Sequence, residues 1–120
     1  MSKLKMYEYP RCGTCRKAKK FLDAHSVAYT TQQIVQQPPS KPELAELVAK
    51  SGLPLKKFFN TSGKLYRELN MKEKVNVLSE DELLELLAAH GMLIKRPIVT
   101  DGVKVTVGFN EETFKEMWLV

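Results

Sequence analysis

Both cysteines of the chain fall in Tyr9-Pro10-Arg11-Cys12-Gly13-Thr14-Cys15-Arg16-Lys17, between a segment that alternates like a strand and one with helical periodicity. That juxtaposition leaves few folds open: the strand must end at the Pro10 turn and the helix must begin at the cysteines. A thiol at a helix N-terminus faces free backbone N–H groups and the positive end of the macrodipole, both of which favour the thiolate. Cys12 is therefore the expected nucleophile. Three residues on is just under one helical turn, so Cys15 returns to the same face and can resolve a mixed disulfide formed on Cys12. Arg11, Arg16 and Lys17 are expected to add positive charge that lowers the Cys12 pKa. Zinc is a competing use of two cysteines and two histidines, but His25 and His90 lie far apart in sequence and outside the short spacings of structural sites. Inert buried thiols are a second competing reading, whereas a structural disulfide closing so small a ring would constrain little of the unfolded chain.

Lys3 to Tyr9 alternates, with Leu4 and Met6 on one side and Lys3, Lys5 and Tyr7 on the other, as a strand does. The helix runs to about His25, burying Cys15, Ala18, Phe21 and Leu22 and leaving Lys17, Lys19 and Lys20 wet. Val27 to Val35 is a second strand, parallel to the first through a right-handed crossover. Pro38-Pro39 ends it, and Ser40-x-x-Glu43 is a capping box for a helix with Leu44, Leu47 and Val48 inward, closed by Gly52. From Leu53 to Lys74 short apolar groups broken by Asn60-Thr61-Ser62-Gly63 predict short helices or turns. Ser79-x-x-Glu82 is a second capping box, opening a helix with Leu83, Leu86 and Leu87 on one face and Gly91 placed to terminate it. Ile98 to Thr100 and Val103 to Val107 flank Asp101-Gly102, a hairpin signal. Asn110 can cap a last helix carrying Phe114, Met117 and Trp118, with Glu111 and Glu112 complementing its dipole. The order is βαβ, a helical block, then ββα, in an α/β class.

With 120 residues, 43% of them hydrophobic, the chain has material for one ordinary core, and a single domain spanning residues 1–120 is expected. Two cysteines, no secretory leader pattern and no apolar run of membrane-spanning length predict a soluble protein of the reducing cytoplasm, with no membrane partner. Nineteen basic against fourteen acidic residues, net +5, are spread along the chain. Such a surface can steer an anionic substrate such as glutathione or an oxyanion, or an acidic protein surface, although a plain solvated surface is the commoner explanation; no direct nucleic-acid binding is read from it.

A βαβ half and a ββα half around a C-x-x-C resemble the thioredoxin-like fold with a mixed four-stranded sheet. The core would be residues 1–36 and 94–120 and the helical insertion 40–91. More narrowly, Pro10 to Ala18, Pro38-Pro39-Ser40, Tyr66-Arg67-Glu68-Leu69 and Ile94-Lys95-Arg96-Pro97-Ile98, in that order, resemble the arsenate reductase-like (ArsC) family, in its Spx- and MgsR-related branch. The resemblance implies a thiol–disulfide oxidoreductase using Cys12 and Cys15, with no bound cofactor and with glutathione (through glutaredoxin) or thioredoxin as reductant. It also implies a cis Pro97 facing the dithiol, Arg96 carried close to Cys12, and substrate contacts from Gly13, Thr14, Arg96 and Pro97. Proline lowers the penalty of a cis bond and brings no N–H that would need a partner.

Departures from the family pattern shape the expectation. Arsenate reductases of this family hold their oxyanion with three arginines, and only Arg96 matches; the other two positions are Asn60 and Gly108. They also usually lack a cysteine where Cys15 stands. Spx-like regulators share the dithiol, Arg96-Pro97 and a glycine at Gly52, and bind the RNA polymerase alpha subunit; Phe58 to Gly63 here replaces their basic segment. The resemblance thus implies a reductase first, a polymerase-binding regulator as the alternative, and arsenate reduction last.

Overall fold

The structure, a computed structural model, describes residues 3–119. Its sheet is built around β1 (Leu4–Glu8), which lies parallel to β2 (Tyr29–Gln33) with Leu4 opposite Tyr29 and Glu8 opposite Gln33. On its other side β1 runs antiparallel to β3 (Ile98–Thr100), with Tyr7 opposite Ile98, and β3 pairs antiparallel with β4 (Val105–Val107). The order is β2-β1-β3-β4, a mixed four-stranded sheet of the α/β thioredoxin-like kind. Because β1 is central, both of its faces are covered: Leu4, Met6 and Glu8 are buried on one and Tyr7 on the other. β2, with the polar sequence Tyr-Thr-Thr-Gln-Gln, is an edge and is shorter than the sequence reading, since Val27 and Val35 lie outside it.

The chain folds as two compact units, Met1–Gln33 with Arg96–Val120, and Ile34–Lys95. In the first, α1 (Gly13–Ala24) and α6 (Glu111–Trp118) place Ala18, Phe21, Leu22, Phe114 and Trp118 against Leu4, Met6 and Val99. Each large apolar side chain buried there contributes roughly 1.5–3 kcal/mol relative to exposure. Cys15 shares the inner face of α1 with Ala18, Phe21 and Leu22, as the spacing predicts. Lys19 does not stay wet: its ammonium turns back to the buried Glu8 at 2.7 Å. Asn110 caps α6 through Thr113 N–H (3.1 Å), and Trp118 Nε1 donates to Thr106 Oγ1 (3.2 Å). The Asp101-Gly102 turn is longer than a two-residue hairpin, because the Asp101 carboxylate accepts from the N–H groups of Val103 and Lys104 and so wraps a four-residue loop. Gly102 takes φ +96° there.

In the second unit, α2 (Lys41–Ser51) and α5 (Glu80–Ala89) each begin with the full capping box expected, on Ser40–Glu43 and Ser79–Glu82. They pack together, burying Leu44, Leu47, Leu83 and Leu87, and Gly52 ends α2 at φ +69°. Between them come a 3-10 turn at Leu55–Phe58 and the short helices α3 (Lys64–Glu68) and α4 (Met71–Val77). Phe59 forms an isolated antiparallel bridge with Ile94. Gly91 does not end α5, which is closed by His90; it opens a 3-10 turn at Gly91–Leu93. Its requirement is space, since a Cβ there would lie 2.0 Å from the backbone oxygen of Ile34.

Candidate functional site

Tyr9 O accepts from Cys12 N–H at 2.9 Å, closing the Pro10-Arg11 turn that delivers the chain from β1 into α1. Cys12 is the N-cap of α1 with φ −82° and ψ 121°; it makes no side-chain capping hydrogen bond, and the first turn holds no acidic residue. Half-buried, it has its thiol at the mouth of the helix, while Cys15 is 0% exposed on the inner face. Gly13 and Thr14 are exposed beside it, and nothing lies within 4 Å of the place where a Gly13 Cβ would be.

The two thiols are driven in opposite directions. Burial works to raise the Cys12 pKa but is outweighed by stabilisation of the thiolate by the Cys15 N–H and thiol, the Arg96 guanidinium and the Thr14 N–H, so its pKa is lowered. Cys15 is pushed up to about 12, first by burial and then by the neighbouring Cys12 sulfur and the charges of Cys12 and Glu8, against a lowering contribution from Tyr9 N–H. One thiol is made ready and the other held protonated.

Arg96 reaches this site from the far end of the chain, at the entry to β3. The Arg96–Pro97 bond is cis, Pro97 is buried, and Pro97 O accepts from Gly108 N–H at 2.8 Å. The Arg96 guanidinium carbon lies 5.3 Å from the centroid of the Tyr9 ring. Cys12, Gly13, Thr14 and Cys15 at the start of α1 and Arg96 and Pro97 before β3 all belong to the first unit. Of the cations expected to activate Cys12 from nearby in sequence, Arg11, Arg16 and Lys17 are exposed, and Arg16 Nη2 donates to Arg11 O at 3.2 Å. The activating cation is Arg96.

At the two positions where the family pattern has further arginines, Asn60 accepts from Gly63 N–H in a turn (3.1 Å) and Gly108 sits at φ +78°. Among the described residues no three His, Cys, Asp or Glu side chains cluster as metal ligands. His25 caps the C-terminal end of α1, opposite the cysteines, and stacks on Phe21 at 4.4 Å.

Sequence reasoning missed Glu8. It is 4% exposed at the C-terminal end of β1, with Oε1 paired to the Lys19 ammonium and no hydrogen bond of acceptable direction to that oxygen among the described residues. The alternation that turns Leu4 and Met6 inward also turns Glu8 inward. An acidic residue at an inward position just before the dithiol was the available signal.

Comparison with known proteins gives a match of the ArsC family model to residues 7–117. The chain is 64% identical to the Bacillus subtilis (strain 168) uncharacterized protein YusI, over 96% of this chain and 98% of that one. It is 31% identical to the global transcriptional regulator Spx of Streptococcus pneumoniae (strain ATCC BAA-255 / R6), over 88% of this chain and 78% of that one. Among solved structures, an ArsC family related protein from Bacteroides fragilis superposes with a TM-score of 0.92 at 44% identity (95% of this chain, 96% of that one). An arsenate reductase from Vibrio cholerae does so with a TM-score of 0.86 at 28% identity (97% and 98%).

Proposed function

The chain belongs to the ArsC family, and on that premise we propose that it is a thiol–disulfide oxidoreductase of the reducing cytoplasm, in which Cys12 attacks and Cys15 resolves. The observation that carries the reading is the asymmetry of the pair: a half-exposed thiol with lowered pKa at a helix N-terminus, and one turn later a fully buried thiol held protonated. The Cys12 thiolate attacks one sulfur of a substrate disulfide. A Cys12–substrate bond forms, the substrate S–S bond breaks and the first substrate thiolate leaves. Cys15 then loses its proton and attacks Cys12 Sγ. The second substrate thiolate departs, and two electrons have passed from the dithiol to the substrate. Glutathione or thioredoxin would return the Cys12–Cys15 disulfide to the dithiol.

Arg96 stabilises the thiolate and offers a planar fork to a substrate carboxylate or oxyanion, with Gly13, Thr14 and Pro97 bordering the approach. Arsenate itself is not the substrate proposed. Asn60 and Gly108 stand where the family pattern has arginines, and each missing charge-assisted hydrogen bond forgoes roughly 1.5–3 kcal/mol.

Differential alkylation followed by mass spectrometry tests the reading. Cys12 is expected to label faster than Cys15 near neutral pH, and mild oxidation to give an intramolecular disulfide. Equal labelling, or no such disulfide, contradicts it. The similarity to the regulator Spx favours a second reading, a redox-sensitive adapter of RNA polymerase. Stoichiometric oxidation without turnover, together with redox-dependent co-purification of the polymerase alpha subunit, would replace the enzyme reading with that one.

A further inference from the structure

We propose that the basic stripe running from Cys12 along the outer face of α1 is a docking surface for an acidic protein, whose disulfide it presents to the Cys12 thiolate. The inference rests on the dithiol reading above and gives it a class of substrate. The positive charge of the chain is not spread as expected: Arg11 to Lys20 holds five of the nineteen basic residues and none of the fourteen acidic ones. The other fourteen basic residues are matched by fourteen acidic ones, so the net +5 belongs to this one segment. Lys19 is drawn inward to Glu8, while Arg11, Arg16, Lys17 and Lys20 are exposed and have no acidic partner among the described residues. Cys12, Arg16 and Lys20 follow one another at i, i+4 and i+8, so two cations line up behind the thiol on one stripe about 12 Å long, with Lys17 beside it. The Arg16 guanidinium folds back to Arg11 O (3.2 Å), onto the turn that carries Cys12, and Arg96 brings a further cation to the Tyr9 ring at the start of that turn.

Nothing in α1 itself rewards this arrangement. Cations near a helix N-terminus oppose the macrodipole, and like charges four residues apart, such as Arg16 and Lys20, repel. The first turns of α2, α5 and α6 carry glutamates instead, and lysines of other helices are paired: Lys50 with Glu46, Lys64 with Glu68, Lys115 with Glu112. An unneutralised stripe is most stable against a surface of carboxylates, and it attracts that surface before contact. Three features favour a protein over a small anion or a nucleic acid. Charges spread over about 12 Å match carboxylates spread over a folded surface better than the few of a tripeptide. Gly13 and Thr14 are exposed and the space at the Gly13 Cβ position is empty, which leaves room for a polypeptide at the thiol. The stripe also leads to a group whose chemistry is sulfur exchange, for which a nucleic acid offers no bond.

Peptides of equal length test this, each with a single cysteine joined to thiopyridine as a mixed disulfide and flanked by glutamates, by lysines or by glutamines. Attack of the Cys12 thiolate on the peptide sulfur forms the Cys12–peptide bond and releases thiopyridine with the electron pair, which is read by absorbance. Each rate is divided by that of mercaptoethanol on the same peptide, which removes differences among the disulfides themselves. At ~0.1 M salt the acidic peptide should react at least about tenfold faster than the basic one; at ~1 M, where the Debye length has fallen from about 10 Å to about 3 Å, the two should agree within about twofold. Lys17→Glu combined with Lys20→Glu should cut the ratio at the lower salt to below about threefold, whereas Lys3→Glu, next to the opposite end of β1, should leave it within about twofold of the parent. The salt dependence of the parent decides even where the double variant does not fold. Equal rates at the lower salt, a preference that persists at the higher, or an equal effect from Lys3→Glu overturns the proposal. So does glutathione disulfide outpacing the acidic peptide on the same scale, which gives the stripe to a small anion. A DNA duplex that binds and shields Cys12 from alkylation, with the peptides not distinguished, overturns it in favour of a nucleic acid. No reaction with any of the peptides sinks the dithiol reading itself, whereas equal reaction with all of them sinks only the docking surface.

Discussion

At the starts of α2 and α5 a serine hydroxyl and a glutamate three residues on close the free backbone donors, and α5 adds Glu80 and Asp81 to its first turn. At the start of α1 the same position is Cys12, with no cap from its neutral thiol and no acidic residue in the turn. A filled cap typically adds about 1 kcal/mol to stability, so the N-terminus of α1 forgoes stabilisation the other two helices take. What it keeps is an unspent set of donors and an unopposed dipole, which only an anion arriving there can use. The thiolate of Cys12 is that anion.

The sharpest way to break this contrast is to remove the sulfur. Cys12→Ser places a good capping hydroxyl at α1 and should abolish disulfide exchange, to below about a thousandth of the parent rate, while the fold is kept. Residual turnover by this variant would mean that Cys15 or another group starts the reaction. Next in size is Arg96→Ala. The guanidinium holds the Cys12 pKa down, so its loss moves the alkylation profile to higher pH and slows labelling near neutrality by about three- to tenfold. A superimposable profile would leave the helix N-terminus as the only activator.

Two smaller effects sharpen the comparison. Cys12→Asp supplies at α1 what α2 and α5 already have, an acceptor and a negative charge next to Arg96. It should raise stability by about 1 kcal/mol, a few degrees in Tm, in an inactive protein. No gain in calorimetry would mean that the first turn of α1 is already satisfied. Ser79→Ala, the reverse experiment, should lower stability by about 0.5–2 kcal/mol in chemical denaturation and leave Cys12 reactivity unaltered. Altered thiol kinetics in that variant would tie the two helix starts together in a way this contrast does not allow.

The same contrast explains what was readable in the sequence. Features with short-range causes were legible: the two capping boxes, the Asn110 cap, the inner stripe of α1 and the C-x-x-C at a strand-to-helix turn. Features set by distant partners were not. Glu8 looks like any strand-end charge until α1 closes over it, and Lys19 counts as solvated until Glu8 is found beneath it. Gly91 looks like a helix stop, although its real constraint is the oxygen of Ile34. Arg96 beside Cys12 was legible only through the family resemblance, whereas the adjacent Arg11, Arg16 and Lys17, expected to add charge there, lie exposed. The Asp101 side-chain bonds lengthened a turn whose dipeptide alone suggests a tighter one.

The β1–β3 ladder joins the two ends of the sequence, with Lys5 opposite Thr100. Closing so long a loop costs on the order of 4 kcal/mol of chain entropy before any strand hydrogen bond offsets it, whereas α2 and α5 form from contacts nearer in sequence. A nascent or partly refolded chain therefore carries the C-x-x-C on a helix before it carries Arg96 beside it, and its Cys12 has the help of the helix N-terminus without that of the guanidinium. The full nucleophilicity is a property only of the finished sheet, which limits premature cross-linking of the unfinished chain. Pulsed alkylation during refolding should find fast Cys12 labelling appearing together with protection of the β1 and β3 amides; fast labelling ahead of that protection would detach the thiol's chemistry from closure of the fold.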